Sequence, residues 1–280
     1  MKVDIILCAH NAERTIKDCI SSLVVQTHKD INIHVFDDAS TDNTLEILRK
    51  YRDTRVNIIS SKKNIGTYAG KNFIYKNFCA GSDYIALQDA DDYSHPRRIE
   101  IQSKFLKDND IVCAGTGIVE FWEQGSLPWT KHSGEWIGNS RENYYPELIE
   151  NKDLEEVLSY LQDNENYQRY LKFKFCMNGS VMFETEFLKS IGGWDGEARV
   201  AADTDIFIRT LANNNICNIQ RCLYYRRFHK NSLTARKDWG IKSDFRKEYN
   251  LNRIPVIESS LQNIPVVRNF YYPEFDYEVY

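Results

Sequence analysis

The sequence lacks any continuous apolar run of the length that a membrane-spanning helix needs. It also lacks the pattern of a signal peptide, because the apolar stretch from Ile5 to Cys8 gives way at once to polar residues. We therefore expect a cytoplasmic protein. Any contact with a membrane is expected to be peripheral, at its inner face.

Closely spaced cysteine pairs are also missing. The seven cysteines are scattered, and none forms the CxxC spacing of a common zinc or redox site, so we expect reduced structural thiols. A net charge of -4 and a pI of about 5.9 give no reason to expect nucleic acid as a partner. Internal repeats and low-complexity segments are absent, and 280 residues suffice for one substantial core.

The first hundred residues alternate between two kinds of apolar pattern. Short β-rich runs occupy residues 4–8, 31–36, 56–59 and 84–87, whereas Ile16, Ile20 and Leu23 recur between the first two at helical spacing. This alternation predicts βαβ units, and hence an α/β fold with a mostly parallel central sheet flanked by helices. Sheets of this kind bind ligands at the carboxyl ends of their strands.

Polar side chains follow all four predicted strands. They are His10, Asn11 and Glu13 after the first, Asp37 and Asp38 after the second, Asn64 with Gly66 after the third, and Asp89, Asp91 and Asp92 after the fourth. Carboxylates this dense at one edge of a sheet would repel each other unless a cation lay among them.

The second half of the chain is less regular. Residues 122–150 look loop-like and are rich in tryptophan and tyrosine, a helix is expected near residues 154–161, a strand at 181–183 and a helix at 206–211. We expect one domain over residues 1–235, with a nucleotide-binding half at about 1–115 and an acceptor half at about 116–235. Residues 236–280 are expected to form a C-terminal extension.

Short motifs occur in a fixed order along the chain. They are Cys8-Ala9-His10-Asn11, Phe36-Asp37-Asp38-Ala39-Ser40-Thr41-Asp42, Asn64-Ile65-Gly66 with Ala69-Gly70-Lys71-Asn72, Leu87-Gln88-Asp89-Ala90-Asp91-Asp92 with Pro96-Arg97-Arg98, Gly192-Gly193-Trp194-Asp195, Ala202-Asp203-Thr204-Asp205 and Tyr225-Arg226-Arg227-Phe228-His229. In this set the chain resembles the inverting glycosyltransferases of family 2, which have the Rossmann-like GT-A fold. The resemblance covers roughly residues 3–234.

The resemblance implies a metal-dependent transfer of one sugar from a nucleotide diphosphate. Asp91 would bind the metal, Mn²⁺ or Mg²⁺, together with His229, and a neutral imidazole suits Mn²⁺ better. Asp89 would act through ribose or water, and Asp92 would bind the donor sugar. An Asp-rich surface turn and a lone surface histidine are the alternative interpretations.

Further donor contacts are implied at the other strand ends. Asp37 matches a carboxylate that binds the uracil imide N–H, which favours UDP-sugars. The remaining donor-binding positions are Ala9, His10, Asn11, Glu13, Asn64, Gly66, Lys71, Ala90 and Arg226. For Asp38 and Asp42 a role in turns and caps is at least as consistent with the residue types.

On the acceptor side, Asp203 aligns with the catalytic base of the family, although Ala202 stands where relatives commonly have Glu. Asp205 is a fallback base, but a helix N-terminal carboxylate explains it better. Trp194 and Asp195 would line the acceptor, with the aromatic residues of 122–145 as a mobile loop. A core tryptophan would give the same pattern at Trp194.

The expected partners are therefore a nucleotide-sugar donor and a glycan or lipid-linked saccharide acceptor, in surface polysaccharide synthesis. A nucleotidyltransferase is the first alternative, but the segment after strand one has no glycine-rich loop. A non-catalytic nucleotide- or glycan-binding module is the second, and the presence of Asp89, Asp91, Asp203 and His229 together argues against it.

Overall fold

A computed structural model of the chain describes residues 1–122, 140–162, 175–200, 202–229 and 270–280, together with positions 244, 248 and 252. Its strands are β1 (Val3–Ala9), β2 (Ile31–Asp38), β3 (Val56–Ser61), β4 (Tyr84–Asp89), β5 (Tyr93–Ser94), β6 (Cys113–Trp122), β7 (Ser140–Asn143), β8 (Leu148–Ile149), β9 (Met182–Glu184), β10 (Ile216–Phe228) and β11 (Tyr277–Val279). Its α-helices are α1 (Ile16–Val24), α2 (Thr44–Leu48), α3 (Thr67–Phe78), α4 (Arg98–Asn109), α5 (Leu154–Gln162), α6 (Thr185–Ser190) and α7 (Ala202–Asn213).

Within these ranges the strands form one sheet with the order β11-β3-β2-β1-β4-β9-β6-β10-β5, and β7 and β8 pair at its side. The run β3-β2-β1-β4 is parallel throughout, and β6 and β10 are parallel to each other. The short β9 is antiparallel to both of its neighbours, β4 and β6. The predicted α/β fold is thus confirmed, with a sheet that is parallel from β3 to β4 and mixed beyond β4.

The central strands are buried on both faces, which is why they read as continuous apolar runs. Ile6 on β1 and Phe36 on β2 belong to one core cluster with Phe73 of α3. Ile5 and Leu7 point the other way, into a cluster that contains Leu23 of α1. Two helical layers therefore hold the sheet from opposite sides, and the strand ends alone are left to form a site.

Residues 270–280 pack against β3 and α3. β11 extends the sheet at the β3 edge, and the Phe270 ring stacks on Tyr75 of α3 with centroids 4.5 Å apart. The Asn72 side-chain amide donates to the carbonyls of both Tyr271 and Trp194. This end of the predicted extension is therefore joined to the core.

Residues 122–150 were expected to be loop-like, and the described part of them contains β7 and β8 in addition to the end of β6. Trp129 and Trp136 of the proposed acceptor loop lie outside the described residues. In the described part of the chain, no helix combines the length and apolar character needed to cross a bilayer.

Candidate active site

Three aspartates, Asp89, Asp91 and Asp92, lie at the end of β4 and in the turn that follows it. Residues of β10 fix this turn through hydrogen bonds. Asp92 is 2% exposed, and its two carboxylate oxygens accept from the Tyr224 hydroxyl (2.9 Å) and the Arg227 backbone N–H (2.7 Å). The Tyr224 hydroxyl also accepts from the Asp89 backbone N–H at 3.2 Å. Both oxygens of Asp92 therefore hold the turn together, and its contact with the donor sugar stays a prediction.

Asp91 and His229 face each other at the open side of this turn. Oδ2 of Asp91 lies 3.1 Å from Nε2 of His229, and 33% and 19% of the two side chains are exposed. The Arg227 guanidinium supports the arrangement, since its Nε donates to the Asp91 carbonyl and its Nη2 donates to Asp18. A carboxylate oxygen and an imidazole nitrogen therefore converge at a solvent-accessible point.

Several charged groups surround the Asp89 carboxyl. Burial raises its pKa, the positive charge of Lys71 opposes this rise, and the negative charge of Asp91 adds to it. Arg226 and Asp203 have smaller effects on the same pKa, the first lowering it and the second raising it. The structure thus brings together five of the residues that the sequence singled out, from α3, the β4 turn, β10 and α7.

Lys71 lies on the buried side of this group. It is 1% exposed, and its Nζ lies 5.6 Å from the ring centroid of Tyr68 and 5.8 Å from that of Trp194. Arg226 is partly exposed, forms an ion pair with Glu120 at 3.2 Å and lies over the Phe228 ring. One buried and one partly exposed cation therefore act on the aspartates.

The loops after β1 and β2 are joined by polar contacts. The Asn11 backbone has a positive φ of 51°, its N–H donates to the Ser40 hydroxyl, and its side-chain oxygen accepts from the Thr41 N–H. Glu13 accepts from both the backbone and the side-chain amide of Asn43. Asn11 and Glu13 thus hold one loop against the next, and ligand contact is not needed to explain them.

His10 is exposed and positions its ring through Nδ1, which lies 2.8 Å from the Asp38 carbonyl, beside the buried Ala9. Asp38 itself accepts from the backbone N–H groups of Ile65 and Gly66, at 2.7 and 2.9 Å. Asn64 also donates to the Asp38 carbonyl. The three strand ends therefore form one connected rim, in which Asp38 has a structural role.

Asp37 differs from Asp38 in having a free oxygen. Its side chain is 1% exposed, Oδ2 accepts from the Ser60 hydroxyl at 3.0 Å, and Oδ1 has no hydrogen-bond partner among the described residues. A buried carboxylate oxygen without a donor is costly unless a ligand supplies one. Asp37 thus carries a buried acceptor oxygen at the rim that the described residues do not use.

Asp203 and Asp205 begin α7 and have different environments. Asp203 is partly exposed and accepts from the Thr204 N–H at 3.1 Å. Asp205 is fully buried in an ion pair with Arg209, at 2.8 Å, and Arg209 also donates to the carbonyls of Ile191 and Gly193. Asp205 therefore holds α7 to the preceding loop, and Asp203 is left available for chemistry.

Trp194 was expected to line the acceptor, and its burial favours the alternative of a core tryptophan. Trp194 is 0% exposed and packs edge-on against Phe183, with centroids 6.5 Å apart. Asp195 is 7% exposed, and its Oδ1 accepts from the Glu197 N–H within a turn. Neither side chain presents a free surface to an acceptor, because the loop folds inward against the core and residues 270–271.

Two residues that sequence analysis missed shape the site. The sequence does not single out Tyr224 from the apolar residues of β10, although its hydroxyl hydrogen-bonds to Asp89 and Asp92 in the structure. Gly179 lies so close to this turn that a Cβ there would stand 2.0 Å from the Tyr224 hydroxyl and 2.7 Å from Asp89 Oδ2. The residue pattern of β10 does not mark Tyr224 as a site residue. A lone glycine likewise does not mark Gly179.

The family model described as glycosyl transferase family 2 matches residues 4–192, which is more than half of the chain. The chain belongs to this family. The family 2 chain is 40% identical over 128 residues to EpsE of Bacillus subtilis (strain 168), covering 44% of the chain and 45% of EpsE. It is 27% identical over 277 residues to the chondroitin synthase of Pasteurella multocida (strain Pm70), covering 98% of the chain and 24% of that protein.

Solved structures agree on the fold. The crystal structure of S. aureus TarS 1-349 in complex with UDP-GlcNAc has a TM-score of 0.56 at 17% identity, and the match covers 93% of this chain and 73% of that one. The mannosyltransferase PcManGT from Pyrobaculum calidifontis, in complex with GDP-Man and Mn²⁺, also has a TM-score of 0.56, at 14% identity, over 94% and 70% of the two chains. These similarities confirm the GT-A fold for this family 2 glycosyltransferase. The chain spans less than half the length of EpsE and of the chondroitin synthase.

Proposed function

We propose that this glycosyltransferase transfers a sugar from a UDP-sugar to a hydroxyl of a glycan or lipid-linked saccharide, with inversion at the anomeric carbon, in the synthesis of a surface polysaccharide. The observation that carries the proposal is the Asp91–His229 pair, with 3.1 Å between Oδ2 and Nε2, beside the Asp89 carboxyl, whose pKa responds to the charges of Lys71, Asp91, Arg226 and Asp203. These groups come from four separate elements, and together they offer what the reaction needs: cations for a diphosphate, donors for a metal and a base for the acceptor.

The preference for uracil rests on Asp37. Its unpartnered Oδ1 is a buried acceptor, and the imide N–H of uracil is a donor of matching type. Guanine also carries an N–H that a carboxylate can bind, so the donor base is decided by the space along the rim of His10, Asn64 and Gly66. TarS binds UDP-GlcNAc and PcManGT binds GDP-Man, so the fold accommodates either nucleotide.

The metal site fits Asp91 and His229. An octahedral divalent cation about 2.1 Å from each ligand keeps neighbouring donors about 3.0 Å apart, close to the 3.1 Å between Asp91 Oδ2 and His229 Nε2. An oxygen and a neutral imidazole suit Mn²⁺, with Mg²⁺ as the second choice. A bound cation would offset the negative charge that develops on the departing diphosphate.

The acceptor would be activated by Asp203. Its carboxylate is partly exposed, accepts the Thr204 backbone N–H at its own helix end, and adds its negative charge to the surroundings of Asp89. Removing the proton from the attacking hydroxyl as the new bond forms contributes about 10²–10⁴-fold in comparable enzymes. Lys71 and Arg226 would meanwhile bind the diphosphate, and the turn held by Asp92 would keep Asp91 in place.

A donor screen tests this proposal. The purified protein is incubated with Mn²⁺, a panel of UDP- and GDP-sugars and mixed saccharide acceptors, and released nucleotide and product anomer are measured. Release from a UDP-sugar that is lost in Asp203→Asn, with nucleotide binding unchanged, supports the assignment. Binding without turnover by any donor would favour a binding module, and failure to bind any nucleotide would overturn the proposal.

A further inference from the structure

A second group of potential metal ligands lies at the opposite end of the sheet from the active site. Asp4 is near the start of β1, His34 is on β2, and Cys79 directly follows α3. The active-site loops follow Ala9, at the other end of β1, and five residues of strand span about 16 Å. The two groups are therefore separate in space, and the glycosyltransferase reaction does not explain this one.

The three side chains meet in the core. Asp4, His34 and Cys79 are 0%, 4% and 1% exposed, and one potential ligand atom of each lies within 4.8 Å of the other two. Asp4 Oδ1 and His34 Nε2 are 3.6 Å apart. The Asp4 and His34 side chains share the sheet face covered by α3, where His34 also contacts Phe78.

Hydrogen bonding leaves most of these polar atoms unpaired. Asp4 Oδ1 accepts from the Asn32 side chain at 2.7 Å, but Asp4 Oδ2 and both ring nitrogens of His34 are buried without a partner among the described residues. Each such atom destabilises the fold, because it has lost its hydrogen bonds to water without gaining others. A bound cation would satisfy Asp4 and His34 together, and Asn32 would then orient the carboxylate from outside the metal's coordination sphere.

We propose that Asp4, His34 and Cys79 form a structural zinc site. Thiolate, imidazole and carboxylate are the three ligand types that zinc accepts, and a thiolate disfavours Mg²⁺ and Mn²⁺. Zinc bonds of about 2.0–2.3 Å in tetrahedral geometry put ligand atoms about 3.3–3.8 Å apart, which includes the observed 3.6 Å. The three side chains fill three tetrahedral positions, and a water molecule would take the fourth, because the two oxygens of one carboxylate lie too close together to occupy two of them.

The charges also balance. Binding converts the Cys79 thiol to a thiolate and releases one proton, and the thiolate and the Asp4 carboxylate then neutralise the two positive charges of zinc. A neutral assembly is what a fully buried site can hold at low cost. The site would join β1, β2 and the end of α3, three elements whose other ends carry the donor-binding residues Ala9, Asp37 and Lys71.

The alternative is a metal-free pair in which protonated His34 faces Asp4. That pair would leave the N–H at His34 Nδ1 buried without an acceptor, and the Cys79 thiol would only hydrogen-bond to the Asp4 carboxylate. The two arrangements differ in whether the sulfur of Cys79 bonds to a metal, and this difference can be measured directly.

The test is cobalt and zinc binding by the full-length chain. Protein purified without added metal is titrated with Co²⁺, and the thiolate-to-cobalt charge-transfer absorption is recorded before and after zinc competition. We expect one equivalent with a thiolate band, displaced by zinc and absent in Cys79→Ser. The band should persist in Cys222→Ser, a thiol on β10, and in Asp91→Asn, which removes the proposed active-site ligand.

A second measurement covers the case in which Cys79→Ser fails to fold. Wild-type protein is alkylated in mild denaturant with and without zinc, and modified cysteines are identified by mass spectrometry. Selective protection of Cys79 by zinc supports the site. Absence of a thiolate band, a band that persists in folded Cys79→Ser, or equal alkylation of Cys79 in both conditions would overturn it.

Discussion

Nε2 of His229 lies 3.1 Å from Oδ2 of Asp91, although 138 positions separate the two residues in the chain. Strand β10 brings them together, because Tyr224 and Arg227 of that strand bind both oxygens of the neighbouring Asp92. The same turn that presents Asp91 thus fixes the strand that ends directly before His229. This coupling makes the proposed metal site depend on residues that do not touch the metal.

His229→Ala should weaken metal binding without unfolding the protein, because the imidazole is partly exposed at the open side of the turn. We expect the Mn²⁺ concentration for half-maximal activity to rise by at least roughly 10–100-fold, the range seen when residues that orient metal ligands are lost. The measurement is a Mn²⁺ titration of nucleotide release. His28→Ala is the matched control, since His28 contacts the Met1 carbonyl far from the site. An unchanged Mn²⁺ requirement in His229→Ala would contradict the metal assignment.

Asp203→Asn should lower kcat by about 10²–10⁴-fold, because the amide cannot take the proton of the acceptor hydroxyl. Donor binding should stay near its wild-type value, since the hydrogen bond that Asp203 accepts comes from the Thr204 N–H of its own helix. Steady-state kinetics with calorimetric titration of UDP separates the two effects. Equal loss of kcat and of UDP affinity would point to donor binding as the role of Asp203.

Asp205→Asn should act on stability instead of chemistry. The substitution leaves the buried Arg209 without its counter-charge, a change that costs roughly 3–5 kcal/mol. Urea unfolding measures the free energy, and Asp203→Asn, two positions away, serves as the control with an expected loss below about 1 kcal/mol. A stable Asp205→Asn with a large drop in kcat would reverse the roles given to these two aspartates.

The sequence predicted the first four strands and the edge at which their functional groups meet, since buried parallel strands and the polar residues after them leave a strong local pattern. It did not reveal that Asp92 and Trp194 are structural. Both lie in motifs, and their partners, Tyr224 on β10 and Phe183 on β9, are remote in sequence. The burial of these two side chains depends on how β9 and β10 pair in the sheet. The residues next to Asp92 and Trp194 in the sequence do not indicate that pairing.

Acid should loosen the rim around the nucleotide through Asp42. Burial alone would raise its pKa, but bonds from the Thr44 hydroxyl, the Thr44 N–H and the Glu13 N–H outweigh burial and lower the pKa below its usual value. The stabilisation is therefore present above the ordinary Asp pKa and is lost as the pH falls through the lower folded value. Asp42→Asn should cost about 0.5–2 kcal/mol at neutral pH.

The measurement for Asp42 is the unfolding free energy in urea across the acid range. The wild type should lose stability more steeply than Asp42→Asn as the pH falls toward the folded pKa, so that the difference between them shrinks. A difference that stays constant with pH would show that the Asp42 charge is not what stabilises the loop.

Phe270→Ala should detach the C-terminal segment from α3. The ring stacks on Tyr75 and fills the space beside Gly193, where a Cβ would lie 2.2 Å from it, so its loss should cost about 1–2 kcal/mol. Tyr271→Ala is the matched control, because the Tyr271 side chain is 46% exposed and its carbonyl, which binds Asn72, remains. Hydrogen exchange should speed up at β3 and at residues 192–196 in the first variant only. Equal exchange in both would refute the proposed anchoring.

The pairing of β11 with β3 has a consequence for biogenesis. Val279 pairs with Ile59, so roughly 220 residues must be synthesised after β3 before its outer edge is covered. A nascent chain emerging from the ribosome would expose that edge to other chains, which is a recognised route to aggregation. Lys62 and Lys63 follow β3 directly, and their like charges on every copy would keep such edges apart until the C-terminal strand arrives.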